Sequence, residues 1–200
     1  MARRPGRVTT LPNLLGVARI VATPVVVALL LLPFPGAGLL AFVLFSAASV
    51  TDSLDGRIAR ARGQVSSLGV FMDLTADKVL VAGVLVAMVE VGLLPTWIVA
   101  LILIRELVIA GVRQLAASED VVMASGQMGK WKTTITLGAM GFLLLAFDAQ
   151  TNGPMASLGA DDLLLAIGFW SMVIGTVLTV LSGWAYLRAA WPILRGTEEG

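Results

Sequence analysis

The chain alternates long apolar runs with short polar breaks, a pattern that predicts helices crossing a membrane. A membrane span needs about 20 mostly apolar residues, and six segments approach that length. They lie at 14–32, 39–60, 68–91, 96–116, 133–147 and 163–190. The breaks contain turn-forming sequences such as PFPGAG at 33–38 and DAQTNGPMASLGADD at 148–162. We therefore expect an all-α integral membrane protein with six transmembrane helices.

Positive charge concentrates in alternate connections. Lys and Arg cluster before the first segment, around the second and fourth breaks, and after the sixth segment, whereas the other connections carry only Asp148, Asp161 and Asp162. Because Lys and Arg favour cytoplasmic connections, both termini are predicted to be cytoplasmic, in the cell (inner or plasma) membrane. We expect one transmembrane domain, 1–200, with a basic segment at 1–13 that contacts membrane lipids and a short cytoplasmic tail at 191–200.

The start of the chain is basic and then apolar, which is also typical of a signal peptide. We expect a retained first helix instead. The apolar run is longer than a usual signal core, and no clear small-residue cleavage site follows it.

Composition narrows the chemistry that such a protein can perform. Of its 200 residues 58% are hydrophobic and 14% are charged, and it contains no histidine and no cysteine. A general base must therefore come from Asp, Glu, Lys or the single tyrosine, Tyr186. A metal site would consist of oxygen ligands, which favours Mg²⁺, Mn²⁺ or Ca²⁺ over Zn²⁺. The aromatic residues form no stacking platform, so no nucleic-acid partner is expected.

Four aspartates lie in the second and third apolar segments. Asp52 and Asp55 are three residues apart and Asp73 and Asp77 are four apart, so each pair shares one face of its helix. If the two helices fold antiparallel about the turn near 63–66, the four carboxylates converge. Anions in a low-dielectric site must be neutralised, either by protonation of several of them or by cations. One or two divalent ions would do so, and would also hold phosphoryl oxygens.

Two other interpretations of these carboxylates stay open on the residues alone. The helix pair can be held by ion pairs with Arg57, Arg60 and Arg62. A divalent-cation transporter would also place carboxylates at membrane depth, although no inverted repeat is evident in this chain.

The same stretch resembles the signature of the CDP-alcohol phosphatidyltransferase family. It reads Asp52-x-x-Asp55-Gly56-x-x-Ala59-Arg60, eight residues, Gly69, three residues, Asp73, three residues, Asp77. LPNLLGVARIVATP at 11–24 is similar to the family's first membrane helix. IRELVIAGVRQ at 104–114 and GQMGKWKT at 126–133 resemble one branch, the phosphatidylglycerophosphate synthases. That branch uses CDP-diacylglycerol and glycerol 3-phosphate.

The resemblance implies the family's fold, a six-helix membrane homodimer with a cytoplasm-facing cavity. It implies Mg²⁺ or Mn²⁺, as two ions, bound by Asp52, Asp55, Asp73 and Asp77. Asp77 would also be the catalytic base that deprotonates the acceptor hydroxyl. The CDP-diacylglycerol site would include Gly56, Ala59, Arg60 and Gly69.

An acceptor that carries a phosphate needs basic residues near the metals. Arg105 lies inside the fourth apolar segment, and Arg113 follows two turns later on a similar face. Together with Lys130 and Lys132 they are predicted to bind the acceptor phosphate, although structural ion pairs and ordinary cytoplasmic charges are the alternative. Glu106 can pair with a basic residue of another helix. Phosphatidylglycerol or inositol phosphate as acceptor would share the same signature.

Overall fold

The computed structural model is all-helical over the residues it describes. These are 11–61, 67–119, 121 and 127–194, with side chains described over 14–51, 75–119, 121, 127 and 129–191. The α-helices are α1 (Leu11–Leu31), α2 (Ala37–Ala61), α3 (Ser67–Glu90), α4 (Thr96–Ser118), α5 (Gln127–Gln150) and α6 (Asp161–Leu194). A short 3-10 helix, Pro154–Leu158, lies between α5 and α6. The predicted basic segment up to residue 10 and the tail from 195 lie outside the described residues.

Each predicted apolar segment falls on one of these helices. The largest difference is at α5, which begins at Gln127 rather than at 133. Hydropathy places the start too late because Lys130 and Lys132 lower the local average, although lysine is a good helix former. Glycines with positive φ lie in two of the connections, Gly36 at 94° and Gly92 at 78°, a conformation that costs other residues energy.

The helices form a series in which neighbours in space are not always neighbours in sequence. In the described part of the chain α1 packs along both α2 and α3, α5 packs against α2 and α6, and α6 also packs against α4. The spatial order is therefore α3, α1, α2, α5, α6, α4. The two end helices, α3 and α4, have much less mutual contact, which leaves space between them.

Buried apolar side chains join the helices, whereas large apolar side chains also cover the outside. Phe45, Met88 and Met140 are fully buried, but Leu107 is 71% exposed and Trp184 is 70% exposed. Such an outer surface is unfavourable in water and suited to lipid. Within the described residues three helices are long and apolar enough to cross a membrane, at Leu14–Leu31, Gly129–Gln150 and Asp161–Trp191.

Asp148 joins three elements at the end of the molecule that carries few positive charges. Its carboxylate is 0% exposed. Oδ1 accepts a hydrogen bond from the Leu39 N–H of α2 at 2.9 Å, and Oδ2 accepts one from the Met155 N–H of the 3-10 helix at 3.0 Å. One side chain of α5 therefore caps two helix N-termini. From the sequence, the 148–162 stretch was interpreted only as a turn-forming break.

Glycines make room for this carboxylate. A Cβ built on Gly38 would lie 2.6 Å from the Asp148 Cα, and one built on Gly153 would collide with both carboxylate oxygens. A real Cβ cannot approach so closely, so α2 and α5 can meet at this point only because Gly38 lacks a side chain.

Candidate active site

The residues of the signature lie on two consecutive helices. Asp52, Asp55, Gly56, Ala59 and Arg60 belong to the last turns of α2, and Gly69, Asp73 and Asp77 belong to the first turns of α3. The side chains of residues 52–74 lie outside the described part, so the convergence of the four carboxylates and the lining of the CDP site stay predictions. Asp77 is described, and it is half-buried.

Asp77 lines a cavity of about 240 Å³ between α3, α4 and α5. This cavity occupies the space left by the sparse contact of α3 with α4. Its wall is apolar except for a few polar side chains. The lining residues are Asp77, Lys78, Val81, Ala82, Ile102, Leu103, Glu106, Leu107, Lys132, Thr133, Thr136 and Leu137.

A charge network forms one wall of the cavity. Glu106 Oε1 accepts hydrogen bonds from Arg105 Nη1, at 2.8 Å, and from Lys132 Nζ of α5. The expected pairing of Glu106 with a basic residue of another helix is confirmed. Arg105 and Lys132 side chains are only 15% and 11% exposed, and charges that are buried to this degree are tolerated when they are paired.

Arg105 is also anchored on α6. Its Nη2 donates to Ser182 Oγ at 3.3 Å. A Cβ built on the next residue, Gly183, would lie 2.9 Å from the Arg105 Cγ. Gly183 therefore lets the aliphatic part of the Arg105 side chain lie against α6, while the guanidinium donates its hydrogen bond to Glu106.

Arg113 lies two turns further along α4 and also faces α6. Its Nε donates to Tyr186 Oη at 3.2 Å, and its guanidinium carbon lies 5.3 Å from the centre of the Tyr186 ring, a favourable cation–aromatic arrangement. Arg105 contacts Ser182, and Arg113, further along α4, contacts Tyr186, further along α6. The two helices therefore run parallel at this level. The predicted similar face of the two arginines is confirmed.

The four predicted acceptor residues are not all brought to one surface. Lys132 lines the cavity directly, and Arg105 reaches it through Glu106. Arg113 and Lys130 are exposed and are not among the cavity-lining residues. Their role toward the acceptor stays a prediction, and Lys132 is the member of the predicted four that lines the same cavity as Asp77.

Glu106 is the cavity residue that sequence reasoning undervalued. It was expected to form an ion pair but was not counted with the site, although it lines the same cavity as Asp77. The available signal was a carboxylate beside Arg105 inside an apolar helix, where ionisable side chains are costly and usually functional.

The described part of the molecule contains no group of three or more His, Cys, Asp and Glu residues that could hold a metal ion. The predicted ligands Asp52, Asp55 and Asp73 lie outside that part. The one described member, Asp77, offers a carboxylate on a cavity wall in a chain without histidine or cysteine. This donor chemistry fits a hard divalent cation.

The signature points to a transferase that handles phosphorylated substrates, the apolar helices suggest a membrane protein, and the comparison with known families agrees. The chain belongs to the CDP-alcohol phosphatidyltransferase family, whose model matches residues 9–181. The resemblance drawn from the signature is thereby confirmed.

Relatives narrow the class further. The chain is 35% identical to the CDP-diacylglycerol–glycerol-3-phosphate 3-phosphatidyltransferase of Bacillus subtilis (strain 168), over 92% of this chain and 97% of that protein. It is 33% identical to a probable phosphatidylglycerophosphate synthase of Mycobacterium tuberculosis, over 96% and 87% of the two chains. It is also 33% identical to the CMP-forming cardiolipin synthase of Oryza sativa subsp. japonica, over 95% of this chain and 60% of that protein.

Proposed function

We propose that this protein transfers the phosphatidyl group of CDP-diacylglycerol to glycerol 3-phosphate, forming phosphatidylglycerophosphate and releasing CMP. Family membership and the names of the most similar proteins support the reaction class. The observation that carries the proposal is the cavity in which Asp77 lies on one wall and the Lys132–Glu106–Arg105 network on another. The carboxylate of Asp77 on α3 can act as a base, and the ammonium group of Lys132 on α5 supplies a positive charge. This combination suits an acceptor that carries negative charge.

The chemistry is a direct displacement at phosphorus. The acceptor hydroxyl oxygen attacks the phosphatidyl phosphorus of the pyrophosphate, a new P–O bond forms, and the P–O bond to CMP breaks. The hydroxyl proton passes to Asp77, which acts as general base because an alcohol is a poor nucleophile at neutral pH. CMP leaves with the electron pair of the broken bond. Lys132 binds the acceptor phosphate and orients the hydroxyl.

The metal site in this proposal consists of Asp52, Asp55, Asp73 and Asp77, with Mg²⁺ or Mn²⁺ as two ions. Divalent ions there would screen the pyrophosphate and stabilise the charge on its oxygens. The CDP site consists of Gly56, Ala59, Arg60 and Gly69, where small residues permit close approach of the nucleotide. Arg105, Arg113 and Lys130 complete the acceptor site around Lys132.

The membrane arrangement in this proposal is six spans in one domain, with both termini and the active site on the cytoplasmic side of the plasma membrane. It is supported by the alternation of positive charge and by the parallel course of α4 and α6. The protein would act as a homodimer.

The decisive experiment is CMP release by the purified protein from CDP-diacylglycerol with Mg²⁺ or Mn²⁺. The acceptor panel holds glycerol 3-phosphate, phosphatidylglycerol, inositol phosphate, inositol and serine. Release with glycerol 3-phosphate alone supports the proposal. Release with phosphatidylglycerol alone would instead favour cardiolipin synthesis, the second candidate, which the similarity to the rice enzyme makes reasonable. Absence of release with every acceptor would contradict both.

A further inference from the structure

Lys78 is a charged residue of the cavity that plays no part in the proposed mechanism. It follows Asp77 on α3, is half-buried, and lines the same cavity as Glu106 and Lys132. Adjacent residues of a helix do not face each other, so adjacency in sequence does not make Lys78 the counter-charge of Asp77.

The ion pairs around the cavity leave Lys78 out. Within the part of the chain whose side chains are described, they join Glu106 to Arg105 and to Lys132, and none of them includes Lys78. Lys78 does contribute to the electrostatic environment of Glu106. However, Glu106 Oε1 already accepts hydrogen bonds from both other cations, so the carboxylate on that wall is shared before Lys78 is counted.

The charged side chains around the cavity carry an excess of positive charge. Three cations face two carboxylates, namely Arg105, Lys78 and Lys132 against Asp77 and Glu106. A cation inside a long apolar helix is costly unless it is paired, and such residues usually mark a substrate site or pathway. An anionic ligand in the cavity would balance the excess charge.

The size of the cavity favours a small anion over a lipid headgroup with its chains. The volume is about 240 Å³, below the range of about 300–1,000 Å³ that is usual for pockets that bind larger ligands. Lys78 belongs to α3 and Lys132 belongs to α5, so the two ammonium groups come from different walls. A phosphate bound between them would interact with both.

We propose that Lys78 binds the phosphate of the acceptor together with Lys132, and that this pair selects acceptors that carry a phosphomonoester dianion. The inference rests on the proposed function for the reaction itself. Two ammonium groups form charge-assisted hydrogen bonds with such a dianion. Because Lys78 follows Asp77 directly on α3, a phosphate held there keeps the acceptor hydroxyl close to the base.

Three variants test this assignment. Lys78→Met removes the charge and keeps a flexible side chain, whereas Lys78→Arg keeps the charge. Arg188→Met is the matched control, because Arg188 is exposed on α6 and does not line the cavity. Since Lys78 has no ion pair with the described residues, Lys78→Met should not lower the melting temperature. A lower melting temperature with equal rises in both KM values would give Lys78 a structural role and overturn the proposal.

The first measurement is the KM for each substrate. Loss of one charged hydrogen bond should raise the KM for glycerol 3-phosphate about 10- to 100-fold in Lys78→Met, with the KM for CDP-diacylglycerol unchanged. Lys78→Arg should recover most of the loss, and Arg188→Met should behave as wild type. An unchanged KM for glycerol 3-phosphate would overturn the proposal. A rise confined to CDP-diacylglycerol would do the same, because it would assign Lys78 to the pyrophosphate.

The second measurement concerns the charge of the acceptor. Glycerol 3-phosphate is compared with its phosphate methyl ester, which keeps both hydroxyls but carries one negative charge fewer. Wild-type protein should prefer the dianion in kcat/KM, and this preference should fall about tenfold in Lys78→Met. A preference that is the same in both proteins would contradict the selectivity assigned to Lys78.

The third measurement does not depend on turnover. Detergent-solubilised protein is titrated calorimetrically with glycerol 3-phosphate and, separately, with inorganic phosphate, each with and without CMP and Mg²⁺. The Kd should be about 10- to 100-fold weaker in Lys78→Met than in wild type or in Arg188→Met. If wild-type protein binds neither anion under either condition, or if Lys78→Met binds as tightly as wild type, the proposal is wrong.

The two proposals fail in different ways. If wild-type protein releases no CMP with any acceptor, the proposed function fails, and the titration still decides whether Lys78 binds a phosphomonoester. If turnover with glycerol 3-phosphate occurs but the Lys78 variants keep the wild-type KM and Kd values, the Lys78 proposal alone is wrong. Release with phosphatidylglycerol alone would contradict both, because that acceptor carries a phosphodiester.

Discussion

Replacing Asp148 by asparagine removes the charge from a carboxylate that holds the N-termini of α2 and of the 3-10 helix. The two bonds accepted by Asp148, from Leu39 and Met155, measure 2.9 and 3.0 Å, and the side chain is completely buried. Asparagine has nearly the same shape but only one acceptor oxygen. Its NH₂ group would face one of the two N–H donors, so one bond is lost and the other is weakened.

The size of the effect follows from these bonds. A hydrogen bond to a charged group contributes about 1.5–3 kcal/mol, and a negative charge at a helix N-terminus adds up to about 1 kcal/mol. Since asparagine retains one bond, we expect Asp148→Asn to lower the free energy of unfolding by about 2–3 kcal/mol. For a domain of this size that corresponds to a fall in Tm of about 4–12 °C.

The assay is thermal unfolding in detergent, followed by helical circular dichroism. Asp162→Asn is the matched control, because Asp162 is an exposed aspartate in the first turn of α6, where charge removal costs at most about 1 kcal/mol. Gly38→Ala perturbs the same contact from the α2 side and should also destabilise, despite the better helix propensity of alanine. If Asp148→Asn unfolded at the same temperature as its control, the Asp148 carboxylate would not stabilise the two helix N-termini, contrary to what the geometry indicates.

Four further predictions concern the active site. Asp77→Asn should lower CMP release by about 10²- to 10⁴-fold, as expected for loss of a general base, while Asp161→Asn stays fully active; a near-normal rate would exclude Asp77 from catalysis. Excess chelator should stop turnover and added Mg²⁺ or Mn²⁺ should restore it; activity that persists in chelator would rule out the metal role. Arg113→Ala should raise the KM for glycerol 3-phosphate about tenfold, from loss of one charged hydrogen bond, with less effect on the KM for CDP-diacylglycerol; the reverse pattern would remove Arg113 from the acceptor site. Glu106→Gln should lower the free energy of unfolding by about 2 kcal/mol, the size of a hydrogen bond to a charged group, because two largely buried cations lose their carboxylate, whereas Glu90→Gln, at an exposed position, should not change the melting curve.

The positions of the helices and the type of candidate site could both be predicted from local sequence. Long apolar runs identify helices because membrane-spanning backbone must satisfy its hydrogen bonds internally. The spacing of the aspartates predicts a site for divalent cations, because each pair shares one helix face and carboxylate oxygens are the ligands that such cations prefer. Glu106 as an ion-pair partner was also predictable, since an isolated charge inside an apolar helix needs a counter-charge.

The way in which the helices pack could be predicted much less well from the sequence. In a water-soluble helix the apolar face identifies the side that packs, but here both the packed side and the lipid side are apolar. The sequence therefore could not show that α1 packs along α3 more extensively than α2 does over the described residues. It also could not show that a cavity lies between α3 and α4.

The sequence by itself determined the all-helical class, the positions of the helices and the family, because these depend on short-range pattern and residue chemistry. Only the tertiary structure decided which distant groups meet. Asp148 caps a helix that begins more than a hundred residues earlier, at a separation of 109 between Leu39 and Asp148, and Arg105 reaches Ser182 across 77 residues. Such contacts depend on the order in which helices pack around one another. That order is set by the shapes of many side chains at once, and no single stretch of sequence contains it.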